Sequence, residues 1–133
     1  MATEQTVYLR YEDAVLIHIR LMQMLGETRY GVDFRELLDS ALARPKNEAE
    51  YNDGDIIRQA ASLCFGLVKN HPWRGGNKRT ATTLMLRFLE LNGYDRSWTI
   101  GDQIEMVLAV ESDEWKVDEI DAWLRARVST FTE

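Results

Sequence analysis

One cysteine, Cys64, is all that the 133-residue chain contains. No internal disulfide can form, and a reducing, cytoplasmic setting is the compartment such usage fits. No apolar run approaches the roughly 20 residues that cross a bilayer, so no membrane partner is expected. The polar start, MATEQTVYLRYED, lacks a basic stretch followed by an apolar one, and no secretory signal is expected. Basic residues are fewer than acidic ones, 16 against 22, for a net charge of −6. Binding nucleic acid by phosphate neutralisation needs a basic face. Direct nucleic-acid binding is therefore not expected, although a small local basic site remains compatible with the balance. No cluster of His, Cys and Asp has zinc-ligand spacing, so no resident metal is assigned. The chain has no repeat, no low-complexity stretch and no Ser/Gly linker, which predicts a single domain over 1–133. No segment alternates strictly enough to predict a strand.

What is present reads as helices. Hydrophobic residues, 45% of the chain, suffice for one core. Val15, Ile19, Met22 and Leu25 recur at helical spacing and predict a first helix over about Tyr11–Leu25, with Gly26 as its stop. Leu37, Leu38, Ala41 and Leu42 predict a second over Phe34–Ala43. Pro45 should end it, because the residue before a proline disfavours helix. Arg44–Gly54 then reads as a polar loop. Asp55 caps a third helix, apolar over most of its circumference and so expected to be central, which ends near Lys69–Asn70. A fourth begins near Asn77 and stops at Asn92–Gly93. A fifth opens at Thr99 or Asp102 and carries Ile104, Val107 and Leu108. A sixth spans about Val117–Val128.

The informative stretch is Asn70–Thr80, NHPWRGGNKRT, which joins two apolar helices. The adjacent Gly75 and Gly76 let the backbone turn tightly and approach a ligand closely. The helix after them presents unpaired N–H groups and its positive dipole end, a ready anion site. Lys78 and Arg79 in its first turn oppose that dipole, and a bound phosphate would reverse the conflict. His71 can take a proton from a hydroxyl near neutral pH. Together these residues suggest phosphoryl or nucleotidyl transfer. The plainer reading is that His71–Pro72 only terminates a helix, Gly-Gly-Asn only turns the chain, and the cations are solvated. The segment is not a Walker A loop, because Asn77 stands where the last glycine of that motif belongs.

His71–Ala81, HPWRGGNKRTA, resembles the signature of the Fic/Doc superfamily, HPFx[D/E]GNGRxxR. It is most similar to the Doc (death-on-curing) branch, Hx-F-x-[D/N]-[A/G]-NKRTA. The ending FLELNG of the following helix, and LLDSALARP before a polar loop and a tyrosine, are also Doc-like. The resemblance covers about residues 11–128. It implies an all-α bundle of about six helices, with a central buried helix following the motif loop. It further implies the toxin of a bacterial toxin–antitoxin module, a protein kinase that uses ATP and Mg²⁺ to phosphorylate a threonine of elongation factor Tu and is neutralised by a cognate antitoxin. By this match His71 is the general base, Asn77 orients a phosphate oxygen, and Lys78 and Arg79 hold phosphates. Gly75, Gly76 and their neighbours complete the anion cradle. Lys78, in place of a second glycine, counts against transfer of AMP, which is the activity of the Fic branch. The Arg44–Gly54 loop would match the flap that positions the target.

One departure matters. Gly75 stands where the family carries an acidic magnesium ligand. Glu48, Glu50 or Asp53 on the expected flap are candidate substitutes, and a catalytically degenerate, binding-only protein is the alternative. Trp73 replaces a packing Phe. The regulatory motif [S/T]xxxE[G/N] of Fic proteins is absent, which directs the search for inhibition to a partner. His18 reads as a structural or partly exposed histidine and Cys64 as inert core. Trp98, Trp115 and Trp123 read as packing residues, or as a groove marker if exposed. Glu111–Glu119 reads as a solvated helix junction.

Overall fold

Leu38, Ala41 and Pro45 lie three and four residues apart, and all three are buried on one helical stripe. The computed structural model, which describes residues 5–131, accordingly carries α2 from Arg35 to Asn52, straight through Pro45. The expected break at Pro45 and the expected loop over Arg44–Gly54 are therefore corrected. A proline removes one N–H and crowds one carbonyl. Burial of the ring on α2's core face offsets that. Arg44 adds an anchor, its Nε donating to the Ser62 carbonyl and hydroxyl at 2.8 and 3.0 Å. The helix stops instead at Asp53, which is left-handed at φ 52°.

The fold is all-α, with six helices and one small sheet among the described residues. α1 is Tyr11–Met24, α3 Ile56–Asn70 and α4 Asn77–Leu91, close to the ranges read from the periodicity. α5 is Ile100–Glu111 and α6 Val117–Arg125. Asp55 caps α3 by accepting the Arg58 N–H at 3.0 Å, and Thr99 caps α5 by accepting that of Asp102. α3 packs against α2, α4, α5 and α6. The helix before the motif loop is thus the hub, and α4 after it is the second most buried. Leu63, Cys64 and Leu67 of α3 meet Leu84, Met85 and Phe88 of α4 in the core. Burial pushes the Cys64 thiol up to about 12, which suits an inert core residue.

The sixth helix ends earlier than the pattern suggested. Val128–Thr130 is a strand, β2, antiparallel to β1 at Tyr94–Arg96, with Arg96 opposite Val128. Three-residue strands are too short to show an alternation. Trp98 and Trp123 are buried with ring centroids 5.0 Å apart, and Trp115 is partly buried against the same core. Among the described residues no helix is long and apolar enough to cross a membrane.

Candidate functional site

The motif loop starts where α3 runs out. His71 is left-handed at φ 49°, which turns the chain out of the helix and leaves its side chain about half exposed. Pro72 and Trp73 turn inward and are buried. Trp73 stacks on His18 with centroids 4.1 Å apart and planes at 16°. Its Nε1 is buried without an acceptor among the described residues, so the position suits a ring and makes no use of a donor. Gly76 caps α4 at φ 67°. A Cβ there would meet the movable end of the Met22 side chain at 2.6 Å, so it is the left-handed conformation that calls for glycine.

The residues predicted for the site fall around this turn. α4's ladder begins with the Thr80 N–H on the Gly76 carbonyl, so the N–H groups of Asn77, Lys78 and Arg79 ahead of it have no intrahelical acceptor. They converge with the positive dipole end on one spot. The Arg79 side chain is exposed and forms no ion pair among the described residues. Asn77 differs from the expected role in one respect. Its amide accepts the Trp73 N–H at 3.0 Å and donates to the Trp73 carbonyl at 2.9 Å. The side chain braces the loop, and any contact with an anion falls to its backbone.

Gly75 is tightly enclosed. A Cβ there would lie 2.8 Å from the Arg29 carbonyl oxygen. The close neighbour is the connector over residues 26–34, not the Arg44–Gly54 segment. Val32 bridges Trp73 in antiparallel sense. The Arg74 N–H donates to the Gly31 carbonyl at 2.8 Å, and the Asp33 and Phe34 N–H groups donate to the Pro72 carbonyl. The flap-like element is therefore this connector. Glu48 and Glu50 lie near the end of α2 and Asp53 caps it, beside the start of α3 and so one 15-residue helix, or roughly 20 Å, from His71. They are thus removed as substitutes for the missing acidic residue, and Glu48 pairs with Arg58.

Glu111, in the stretch expected to be a solvated junction, reaches the side chains of His71 and Lys78. Its Oε2 lies 3.1 Å from Lys78 Nζ and 3.7 Å from His71 Nε2. The last turn of α5 delivers it, assisted by Lys69, which bonds the Glu111 carbonyl and pairs with Asp113. No spacing in the sequence links position 111 to 71 and 78, so no local signal was available to find it. The carboxylate occupies the Lys78 cation that an anion would need. Glu111→Gln is expected to tighten pyrophosphate binding by about two- to fivefold, the scale of one part-exposed ion pair. Weaker binding in an isothermal titration would instead make Glu111 a contributor to ligand or metal binding.

Beside the loop runs a groove of about 820 Å³ between α1, α4 and α5, with Lys78 and Arg79 in its lining. Leu25, Ile100, Ile104 and Leu108 line it and are 40–59% exposed. α5 thus carries two stripes: Met106, Val107 and Val110 face the core, while Ile100, Ile104 and Leu108 do not. The exposed apolar lining of this groove is aliphatic, and Trp98, Trp115 and Trp123 take no part in it.

No group of three or more His, Cys, Asp or Glu that could hold a metal occurs among the described residues. The anion cradle fits the phosphates of a nucleotide, but it offers no free protein carboxylate for a magnesium ion. A model of the Fic/DOC family matches residues 8–89, from the segment before α1 through most of α4. No curated protein matches the chain significantly.

Proposed function

The chain belongs to the Fic/Doc family, generally enzymes that transfer AMP or phosphate to proteins, and from that premise we propose that it transfers phosphate from ATP to a protein hydroxyl. The carrying observation is the short turn that joins His71 to the Asn77–Arg79 amides, with the His71 and Lys78 side chains both reaching the one carboxylate of Glu111. In this reading His71 Nε2 accepts the proton of the target hydroxyl. The hydroxyl oxygen bonds to the terminal phosphorus as the bond to the ADP oxygen breaks. The α4 amides, Lys78 and Arg79 offset the charge on the phosphoryl oxygens. Magnesium belongs to the nucleotide substrate here, since Gly75 supplies no carboxylate.

The target is a translation protein such as elongation factor Tu, and the protein acts as the toxin of a toxin–antitoxin pair. The connector over residues 26–34 replaces Arg44–Gly54 as the segment that would hold an extended stretch of the target by backbone pairing. The cognate antitoxin would lay an amphipathic helix along Leu25, Ile100, Ile104 and Leu108, with an acid toward Arg79. Transfer of AMP remains the alternative chemistry. One observation favours a further reading, a Fic fold that binds without catalysis: the Arg29 carbonyl approaches Gly75 too closely for the usual acidic side chain.

Intact-mass analysis of elongation factor Tu after incubation with the protein and MgATP decides among these. A gain of one phosphate is the expected result. A gain of AMP moves the chain to the nucleotidyl branch. An unchanged mass, with ATP still bound, establishes the binding-only reading for this target.

A further inference from the structure

His18 is fully buried in α1, and three segments of chain meet its ring. The Gly31 N–H donates to Nε2 at 3.0 Å. An amide N–H can only donate, so Nε2 is the unprotonated nitrogen and Nδ1 carries the hydrogen. Nδ1–H then donates to Thr80 Oγ1 at 2.8 Å. One ring face stacks on Trp73. One neutral imidazole therefore touches the connector, the loop residue two after His71, and the helix turn one residue after Arg79.

The contact with Gly31 stands at a sensitive point. Gly31's own carbonyl accepts the Arg74 N–H, and Val32 makes the bridge to Trp73. Asp33 adds an ion pair to Arg74 at 3.0 Å. Pairing this short is marginal without a further anchor. The connector is nevertheless held close enough that its Arg29 carbonyl leaves no room for a Cβ on Gly75. Leu25, just before it, and Glu27, within it, line the groove beside Lys78 and Arg79.

We propose that His18 is a positioning residue, a latch that fastens the 26–34 connector to the motif loop and α4 and thereby sets the anion cradle. The proposal builds on the functional reading above, but the latch has a readout of its own. In His18→Gln the side-chain oxygen reaches about where Nε2 lies and keeps an acceptor for Gly31. In His18→Asn the shorter side chain reaches about as far as Nδ1 and leaves Gly31 without one. Amide exchange at Gly31 and Arg74 is expected to stay near the natural rate in the Gln variant and to rise about tenfold or more in the Asn variant. The α3 amides should keep their protection in both. Gly75→Ala pushes the Arg29 carbonyl away without touching His18, and should raise exchange at the same two amides. In the natural protein, nitrogen NMR should show the His18 hydrogen on Nδ1 at neutral pH. MgATP affinity should fall about tenfold in His18→Asn and Gly75→Ala but not in His18→Gln.

Equal exchange in the Asn and Gln variants would overturn the latch, as would a rise spread evenly over α3, which marks general destabilisation. A hydrogen found on Nε2 would do the same. Local release with unchanged MgATP affinity would refute the link from latch to cradle. If the natural protein binds no MgATP, the functional reading fails while the exchange data still judge the latch.

Discussion

Replacing His71 by alanine is expected to reduce phosphate transfer by about 10²–10⁴-fold, the range supplied by one positioned general base. Binding of MgATP should change by no more than about twofold, because the loss is confined to the transition state. The contrast follows from where the groups sit. His71 ends α3 with an exposed ring, so truncation leaves no buried cavity and no unpaired core atom. In the proposed reading the nucleotide is held from the other side of the turn, by α4 amides, Lys78 and Arg79. Arg79→Ala should therefore weaken MgATP binding and transfer together. The experiment is a single-turnover comparison of natural protein, His71→Ala and Arg79→Ala, with MgATP affinity titrated separately. Undiminished transfer in His71→Ala would remove the histidine from the chemistry and leave the loop as a binding device.

Acid should destabilise the fold between about pH 6.5 and 4, by on the order of 3 kcal/mol in total. Burial pushes His18 from its ordinary 6.5 down to about 4. Across that window the unfolded chain binds a proton that the native state refuses, so stability falls as the pH drops. The contribution is complete above 6.5 and gone below about 4. A protonated Nε2 could not accept the Gly31 N–H, so the same event would break the connector's anchor. Asp55 lies outside this window. Its hydrogen bonds from Arg125 hold its carboxyl below the usual carboxylate range, so its share is lost only in stronger acid. Urea unfolding at pH 7 and at pH 4.5 checks this, with His18→Gln alongside. The natural protein should lose most of the predicted stability and the Gln variant much less. Parallel losses in the two would assign the acid sensitivity to the carboxylates.

Much of the architecture is written in local pattern. The apolar spacing of α3 and α4 survives in the structure because burial of one helical face rewards that period, whereas α1 buries Ala14, His18 and Met22 and leaves Leu25 exposed. Asp55 and Asn92–Gly93 mark helix ends, since caps and stops depend on a few adjacent residues. The NHPWRGGNKRT turn is likewise local, and its glycines, histidine and cations lie within ten residues of one another.

Other features belong to the packing. Pro45 reads as a helix breaker, yet the core face of α2 absorbs it, because burying a ring outweighs one lost hydrogen bond. The exposed stripe Ile100, Ile104 and Leu108 has the same period as a buried one, so only the placement of α5 distinguishes them. Glu111 reaches Lys78 and His71 across 33 and 40 positions of chain, and no sequence period encodes such a distance. Gly75 reads as the loss of an acid. In three dimensions it is also the gap that admits the Arg29 carbonyl, and His18, unremarkable in its helix, becomes the residue that three segments share. Short-range order and the chemistry of the turn were thus determined by the sequence itself. Which segment faces that turn was decided by the tertiary structure, because it depends on how whole helices share one core.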